Sequence, residues 1–134
     1  FMDEFDIISF KTIKDKRGNL SIIESTKDIP FDIRRIYYLH DVPEGEMRGS
    51  HGHRKLQQFF IAQSGSFKIK IDNGISKKEL LIENNGSGLY LPEGLWRELY
   101  DFSEDCICLV LASQLYEPDD YIHVYEDFLE FKKV

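Results

Sequence analysis

From residue 7 to residue 112 the chain advances in short apolar or alternating runs, each closed by turn formers. "IISFKTI" gives way to "DKRG", "LSIIES" to "TKDIPFD" and "IRRIYYL" to "HDVPEGE". Runs this short are too brief for a buried helix face, but a strand with side chains alternating across it can bury every second residue. "QFFIAQ", "SGS" and "FKIKID" followed by "NG" predict a hairpin meander, with Asn73-Gly74 the strongest tight-turn signal in the chain. "KKELLIE", "GLYLPEG", "WRELYDF" and "CICLVLAS" bring the expectation to roughly nine or ten strands in an all-β, antiparallel barrel or sandwich. Only the tail departs from this pattern. In "PDDYIHVYEDFLEFKKV", Asp119 or Asp120 is placed to cap a helix, and Ile122, Tyr125, Phe128 and Leu129 recur at helical spacing, so a short C-terminal helix laid against the barrel is expected.

The chain has 134 residues, the size of one domain with one site, and residues 1–134 are read as a single unit. Phe1, ahead of Met2, is set aside as an addition. Acidic residues outnumber basic ones 24 to 17, for a net charge of -7, and no basic stripe is present to neutralise a run of phosphates. That argues against a nucleic-acid partner. No apolar run approaches the roughly 20 residues that span a bilayer, and the N-terminus lacks the charged-then-apolar pattern of a leader, so a cytoplasmic protein without a membrane partner is expected. Cys106 and Cys108 would share one strand face and are expected to be buried free thiols.

The stretch "RGSHGHRKLQQFF" sets two histidines one residue apart. From Gly45 the chain reads five residues to His51, one to His53, four to Gln58 and six to Gly65; from Gly86 it reads five residues to Pro92, then Gly94, then two residues to Arg97. These spacings resemble the two motifs of the cupin superfamily, with Gln58 where a glutamate usually stands and Arg97 where a third histidine does. In a metal-binding cupin those four side chains close around one ion. An amide is a poor ligand and a guanidinium cannot be one, so Arg97 would repel any cation at His51 and His53. No metal and no cofactor are expected. The imidazole pair, titrating ordinarily near pH 6.5, is instead suited to accepting and returning protons, with Tyr37 or Tyr38 close by.

Taken in order, "DKRGNL", "RRIYYL", "RGSHGHRKLQQ", "SGS", "LYLPEGLWREL", "LVLAS" and "YEPDDYIHVYEDF" resemble the cupin-fold sugar 3,4-ketoisomerases over about residues 6 to 131. The resemblance implies a jelly-roll-type barrel in a homodimer with exchanged N-terminal strands. It implies a dTDP-linked 4-keto-6-deoxy sugar as substrate, whose ketone moves from C4 to C3 on the way to a dTDP-linked 3-amino-3,6-dideoxy sugar. Carried over residue by residue, it makes His51, His53 and Tyr37 catalytic and Arg17, Arg35, Arg48, Gln58, Trp96 and Arg97 substrate-binding, the arginines being matched to phosphate or to developing negative charge. Gly52, Arg54 and Glu93 depart from the family's commoner residues without removing a proposed catalytic group. Such a reaction needs only a base, an acid and stabilisation of an enediolate oxygen. The stereochemistry at C4 of the product is left open, with Arg17 and Arg97 the positions that would govern it. Two rival readings remain: a metal-dependent cupin enzyme, and a non-catalytic cupin that binds a nucleotide sugar.

Overall fold

The computed structural model describes residues 5–133. In chain order it contains β1 (Asp6–Ser9), β2 (Lys11–Asp15), β3 (Gly18–Ile22), β4 (Arg35–His40), β5 (Arg48–His53), β6 (Gln58–Ser64), β7 (Ser66–Asp72), β8 (Lys77–Glu83), β9 (Ser87–Leu91), β10 (Trp96–Tyr100), β11 (Ile107–Ala112), the two-residue β12 (Tyr121–Ile122) and a single helix, α1 (Tyr125–Lys132). Two five-stranded sheets, ordered β1-β9-β6-β11-β4 and β12-β5-β10-β7-β8, face one another, and β2 and β3 form a hairpin outside both. Every pairing between these strands is antiparallel. This is the all-β, cupin-type architecture expected from the sequence, with its short C-terminal helix.

Alternation builds the core. Phe67, Ile69 and Ile71 of β7 are fully buried between the sheets with Phe60, Leu89, Leu91 and Val110, while Lys68 and Lys70 point away. Each such apolar side chain contributes roughly 1.5–3 kcal/mol of burial, an upper estimate before chain entropy. β6 is covered on both faces. Its Phe60 and Ala62 enter the central core, and Phe59 and Ile61 pack outward under Ile29, Phe31 and Leu111. That explains why "QFFIA" reads as a continuous apolar run rather than an alternating one.

Two sequence expectations are corrected. β6 and β7 are not hairpin partners: β6 pairs with β9 and β11, β7 with β8 and β10, and "SGS" carries the chain from one sheet to the other. Gly65 turns this corner at φ +68°, where a Cβ would collide with Ser103 Oγ. The turn at Asn73-Gly74 does join a hairpin, β7 to β8, with Asn73 Oδ1 accepting from the N–H groups of Ile75 and Ser76. The tail helix begins at Tyr125, so Asp119 and Asp120 cap nothing. Pro118–Asp120 forms one 3₁₀ turn, and Tyr121 and Ile122 then extend to pair with His53 and Gly52 of β5. Cys106 and Cys108 are buried free thiols, as expected. Among the described residues no helix is long and apolar enough to cross a membrane.

Candidate active site

Sheet periodicity places the site. His51 and His53 stand two apart on β5, so both imidazoles fall on one face, 4.8 Å between ring centroids and nearly perpendicular at 86°. The register of β5 against β10 slips opposite Arg97 and Glu98, a bulge of the kind that re-aims side chains beside active sites. Gly49 takes φ +91° within it, and its carbonyl lies 2.6 Å from His51 Nδ1. A carbonyl only accepts, so the proton of His51 is on Nδ1 and its Nε2 carries the lone pair.

His53 follows the same logic with a carboxylate. Its Nδ1 lies 2.9 Å from Asp120 Oδ2, while its Nε2 is buried without a hydrogen-bond partner. Burial first, then the neighbouring Arg97 and His51, hold His53 far below an ordinary imidazole. Burial and then Arg97 push His51 down to about 4. Both rings are therefore neutral at pH 7, and the His53–Asp120 contact is a donated N–H rather than a pair of opposite charges.

A second chain of bonds crosses to β4 and β10. Arg97 is 1% exposed and donates Nη2–H to the Leu95 carbonyl at 3.1 Å and Nη1–H to Gln58 Oε1. Because a guanidinium only donates, the amide oxygen of Gln58 must face it, leaving Gln58 Nε2 to donate to the Tyr37 hydroxyl at 2.7 Å. The Tyr37 oxygen is thus an acceptor in that bond, and its own proton is free to be given elsewhere. Burial pushes Tyr37 up to about 12, outweighing the pull of Arg97, so it stays protonated. Arg97 is pushed down by burial to about 10, which still leaves it cationic at neutral pH.

These groups open on a cavity of about 220 Å³, lined by Arg35, Tyr37, Arg48, His51, Gln58 and Arg97 and bounded by Tyr121. Arg35 lies over the rings of Tyr37 and Tyr116, at 5.4 and 5.7 Å. Of the two tyrosines left open by the sequence, Tyr37 faces inward and Tyr38 is 58% exposed on the other face of β4. His53 sits behind His51, fully covered.

Two residues assigned to the substrate do not join them. Trp96 precedes Arg97 on β10 and so points to the opposite face, where it packs with Ile122 and Phe128 beneath α1. Arg17 sits at the tip of the β2–β3 hairpin, exposed and paired with Asp15 at 2.9 Å, away from the cavity of its own chain. Two others were missed. Asp120, with Asp119 a candidate helix cap in the sequence, instead bonds His53, and the Tyr121 ring, which no sequence signal singles out, lies 5.0 Å from His51 and 4.5 Å from His53. The segment "YEPDDYIH" was part of the resemblance, but nothing local signals that its carboxylate reaches back 67 residues to His53.

The donor set does not fit the metal that many cupins hold. Gln58 Oε1 is engaged by a cation, Arg97, whose backbone is directly paired with His51. Of the four cupin ligand positions only His51 and His53 keep an imidazole, and among the described residues no three His, Cys, Asp or Glu side chains are grouped to hold an ion.

The model of the FdtA family, described as WxcM-like, C-terminal, matches residues 3–133. A TDP-4-oxo-6-deoxy-alpha-D-glucose-3,4-oxoisomerase of Aneurinibacillus thermoaerophilus is 41% identical over 96% of this chain and 92% of its own length. A crystal structure of a histidine-to-asparagine mutant of the 3,4-ketoisomerase QdtA from Thermoanaerobacterium thermosaccharolyticum, in complex with TDP-4-keto-6-deoxyglucose, superposes with a TM-score of 0.96 at 40% identity, covering 99% of this chain and 96% of that one. A 3,4-ketoisomerase from Helicobacter canadensis gives 0.94 at 36% identity, with 98% of each chain covered. With a family model matched from end to end and relatives this similar over nearly their whole length, the chain belongs to the FdtA family of cupin-type sugar 3,4-ketoisomerases.

Proposed function

We propose that this chain converts dTDP-4-keto-6-deoxyglucose to the 3-keto isomer by proton transfer alone. The observation that carries the reading is a cavity that holds both the neutral His51 imidazole, its lone pair on Nε2 and His53 directly behind it, and a tyrosine whose proton is free. The reaction removes the proton from C3 while the C4 carbonyl oxygen becomes an enediolate oxygen. The C3 hydroxyl then gives up its proton as the C3=O bond forms, and one proton returns to C4 and one to the C4 oxygen, which becomes the hydroxyl of the product. Nothing is oxidised or reduced overall. His51, at the cavity wall, meets the sugar as base, and His53 behind it is the second acceptor. Tyr37 donates to the developing oxyanion, and Arg97 supplies fixed positive charge there in a dry setting where such charge is most effective. Arg35 and Arg48 face the diphosphate. The reading is supported by relatives named for this substrate and this reaction. A C3 ketone is also what an amine-transferring step would consume to give a 3-amino-3,6-dideoxy sugar.

The working form is proposed to be a homodimer in which the β2–β3 hairpin is exchanged. That hairpin pairs only with itself, its Ile13 and Leu20 are 43% and 57% exposed, and edge strand β4 presents Ile36 and Tyr38. Exchange would also carry Arg17 toward the other subunit. Sedimentation as a monomer at micromolar concentration would sink this part.

The experiment for the reaction is NMR of the nucleotide sugar in deuterated water. Wild type should exchange ring protons and form the 3-keto product, equally well in chelator. His51→Asn and His53→Asn should each lose turnover by about 10²- to 10⁴-fold while binding thymidine diphosphate nearly as well. Wild-type exchange rates in both variants, or activity abolished by chelator and restored by one divalent ion, would refute the reading.

A further inference from the structure

We infer that Asp120 is a positioning residue of the active site: it fixes His53 in the Nδ1–H tautomer and so keeps the lone pair on Nε2. The inference rests on the reading of the histidine pair as the proton-transfer groups, but its geometric part stands without it. Asp120 is 7% exposed, at the end of the 3₁₀ turn, and its carboxylate has three N–H groups around it. Oδ2 faces His53 Nδ1 at 2.9 Å and the Leu56 amide at 3.3 Å, and Oδ1 accepts from the Lys55 amide at 2.7 Å. The Asp120 carbonyl in turn accepts from the Arg54 amide at 3.0 Å, so the whole residue is strapped to the segment that follows His53.

A neutral imidazole has one donor nitrogen and one acceptor, and the partner of one decides the state of the other. A carboxylate at Nδ1 forces the proton there. His53 Nε2 then remains a bare acceptor with no hydrogen-bond partner. Such an orphaned, fully buried lone pair is costly in a merely structural histidine and is what a proton acceptor requires. The charge also offsets Arg97, which otherwise crowds the pair with cationic charge.

Asp120→Asn preserves shape but cannot serve three donors with one oxygen. Whichever way the amide turns, its NH₂ faces N–H groups: Lys55 in one orientation, Leu56 and His53 in the other. In the second, His53 is driven to the Nε2–H tautomer and loses its acceptor.

The test is nitrogen-15 NMR of histidine-labelled protein, which reads the tautomer of each ring, combined with kinetics. Wild-type His53 should be Nδ1–H, and this measurement needs no variant. Asp120→Asn should raise the Nε2–H fraction and lower kcat by about 10²-fold or more, with KM and thymidine diphosphate affinity little changed. An Nε2–H ring in wild type would overturn the inference. So would an Asp120→Asn protein that melts earlier but keeps both the tautomer and kcat, the result of a loop clamp alone. If wild type holds the Nδ1–H tautomer yet never exchanges the sugar's ring protons, the reaction reading fails while the role of Asp120 in orienting His53 stands.

Discussion

Replacing Gln58 by glutamate changes one NH₂ group to oxygen and should separate stability from chemistry. In the wild type the direction of every bond in the Arg97–Gln58–Tyr37 chain is forced by the guanidinium, and the Tyr37 hydroxyl accepts at 2.7 Å. The introduced carboxylate would still satisfy Arg97, and better, as a charged acceptor in place of a neutral one. Its other oxygen would turn the Tyr37 proton toward itself. To donate to an enediolate, Tyr37 would first have to break a hydrogen bond to a buried carboxylate, worth about 1.5–3 kcal/mol. At about 1.4 kcal/mol per tenfold, kcat should fall by about 10- to 150-fold. Stability in urea should stay within about 1 kcal/mol of wild type, the stronger bonds offsetting desolvation of the carboxylate. Gln58→Leu makes the opposite pattern: the Arg97 Nη1–H loses its acceptor, at a stability cost of about 1.5–3 kcal/mol, but the Tyr37 proton stays free and more of kcat survives. Urea titration and ring-proton exchange on the same preparations give both readings. Equal kcat in the two variants, or wild-type kcat in Gln58→Glu, would refute the assignment of Tyr37 as donor.

Two further outcomes follow from burial. The His51 imidazole is pushed down to about 4 in the folded protein, against about 6.5 in the unfolded chain. The unfolded state therefore binds more protons between those values, so the His51 contribution to stability is complete above pH 6.5 and falls by about 3 kcal/mol as pH drops to about 4, with His53 acting in the same direction. Urea titrations from pH 7 to 4.5 should be steeper in wild type than in His51→Asn, and parallel curves would contradict this. Trp96→Phe should lower the melting temperature, since Trp96 fills a cluster with Ile122 and Phe128, yet leave thymidine diphosphate affinity in calorimetry unchanged; a tenfold loss of affinity would place the indole on the nucleotide instead.

What could be read from the sequence was what neighbouring residues decide. Period-two alternation in "FKIKID" and the Asn73-Gly74 turn specify β7 and its hairpin, and the one-residue spacing of His51 and His53 puts two rings on one face before any fold is known. The same rule, applied to Trp96 and Arg97, separates them, and the family resemblance had grouped them on one site. The errors lie where distance along the chain stops predicting distance in space. "SGS" looks the same whether it turns a hairpin or crosses between sheets. Asp120 looks like a helix cap because Ser, Asn and Asp favour that place, and the competing partner lies beyond any local window.

The bond from Asp120 to His53 also has a meaning in time. It joins strand β5 to the far end of the chain, and the Arg97–Gln58 and Gln58–Tyr37 bonds span 39 and 21 residues. Contacts between such remote segments close only after the intervening chain has been ordered, which makes folding of this kind of topology slow. No partly assembled barrel would hold both the neutral imidazole pair and the oriented tyrosine. Turnover measured during refolding would therefore lag behind early strand formation and rise only with final closure, making the enzyme's own catalysis a clock for the last step of its folding.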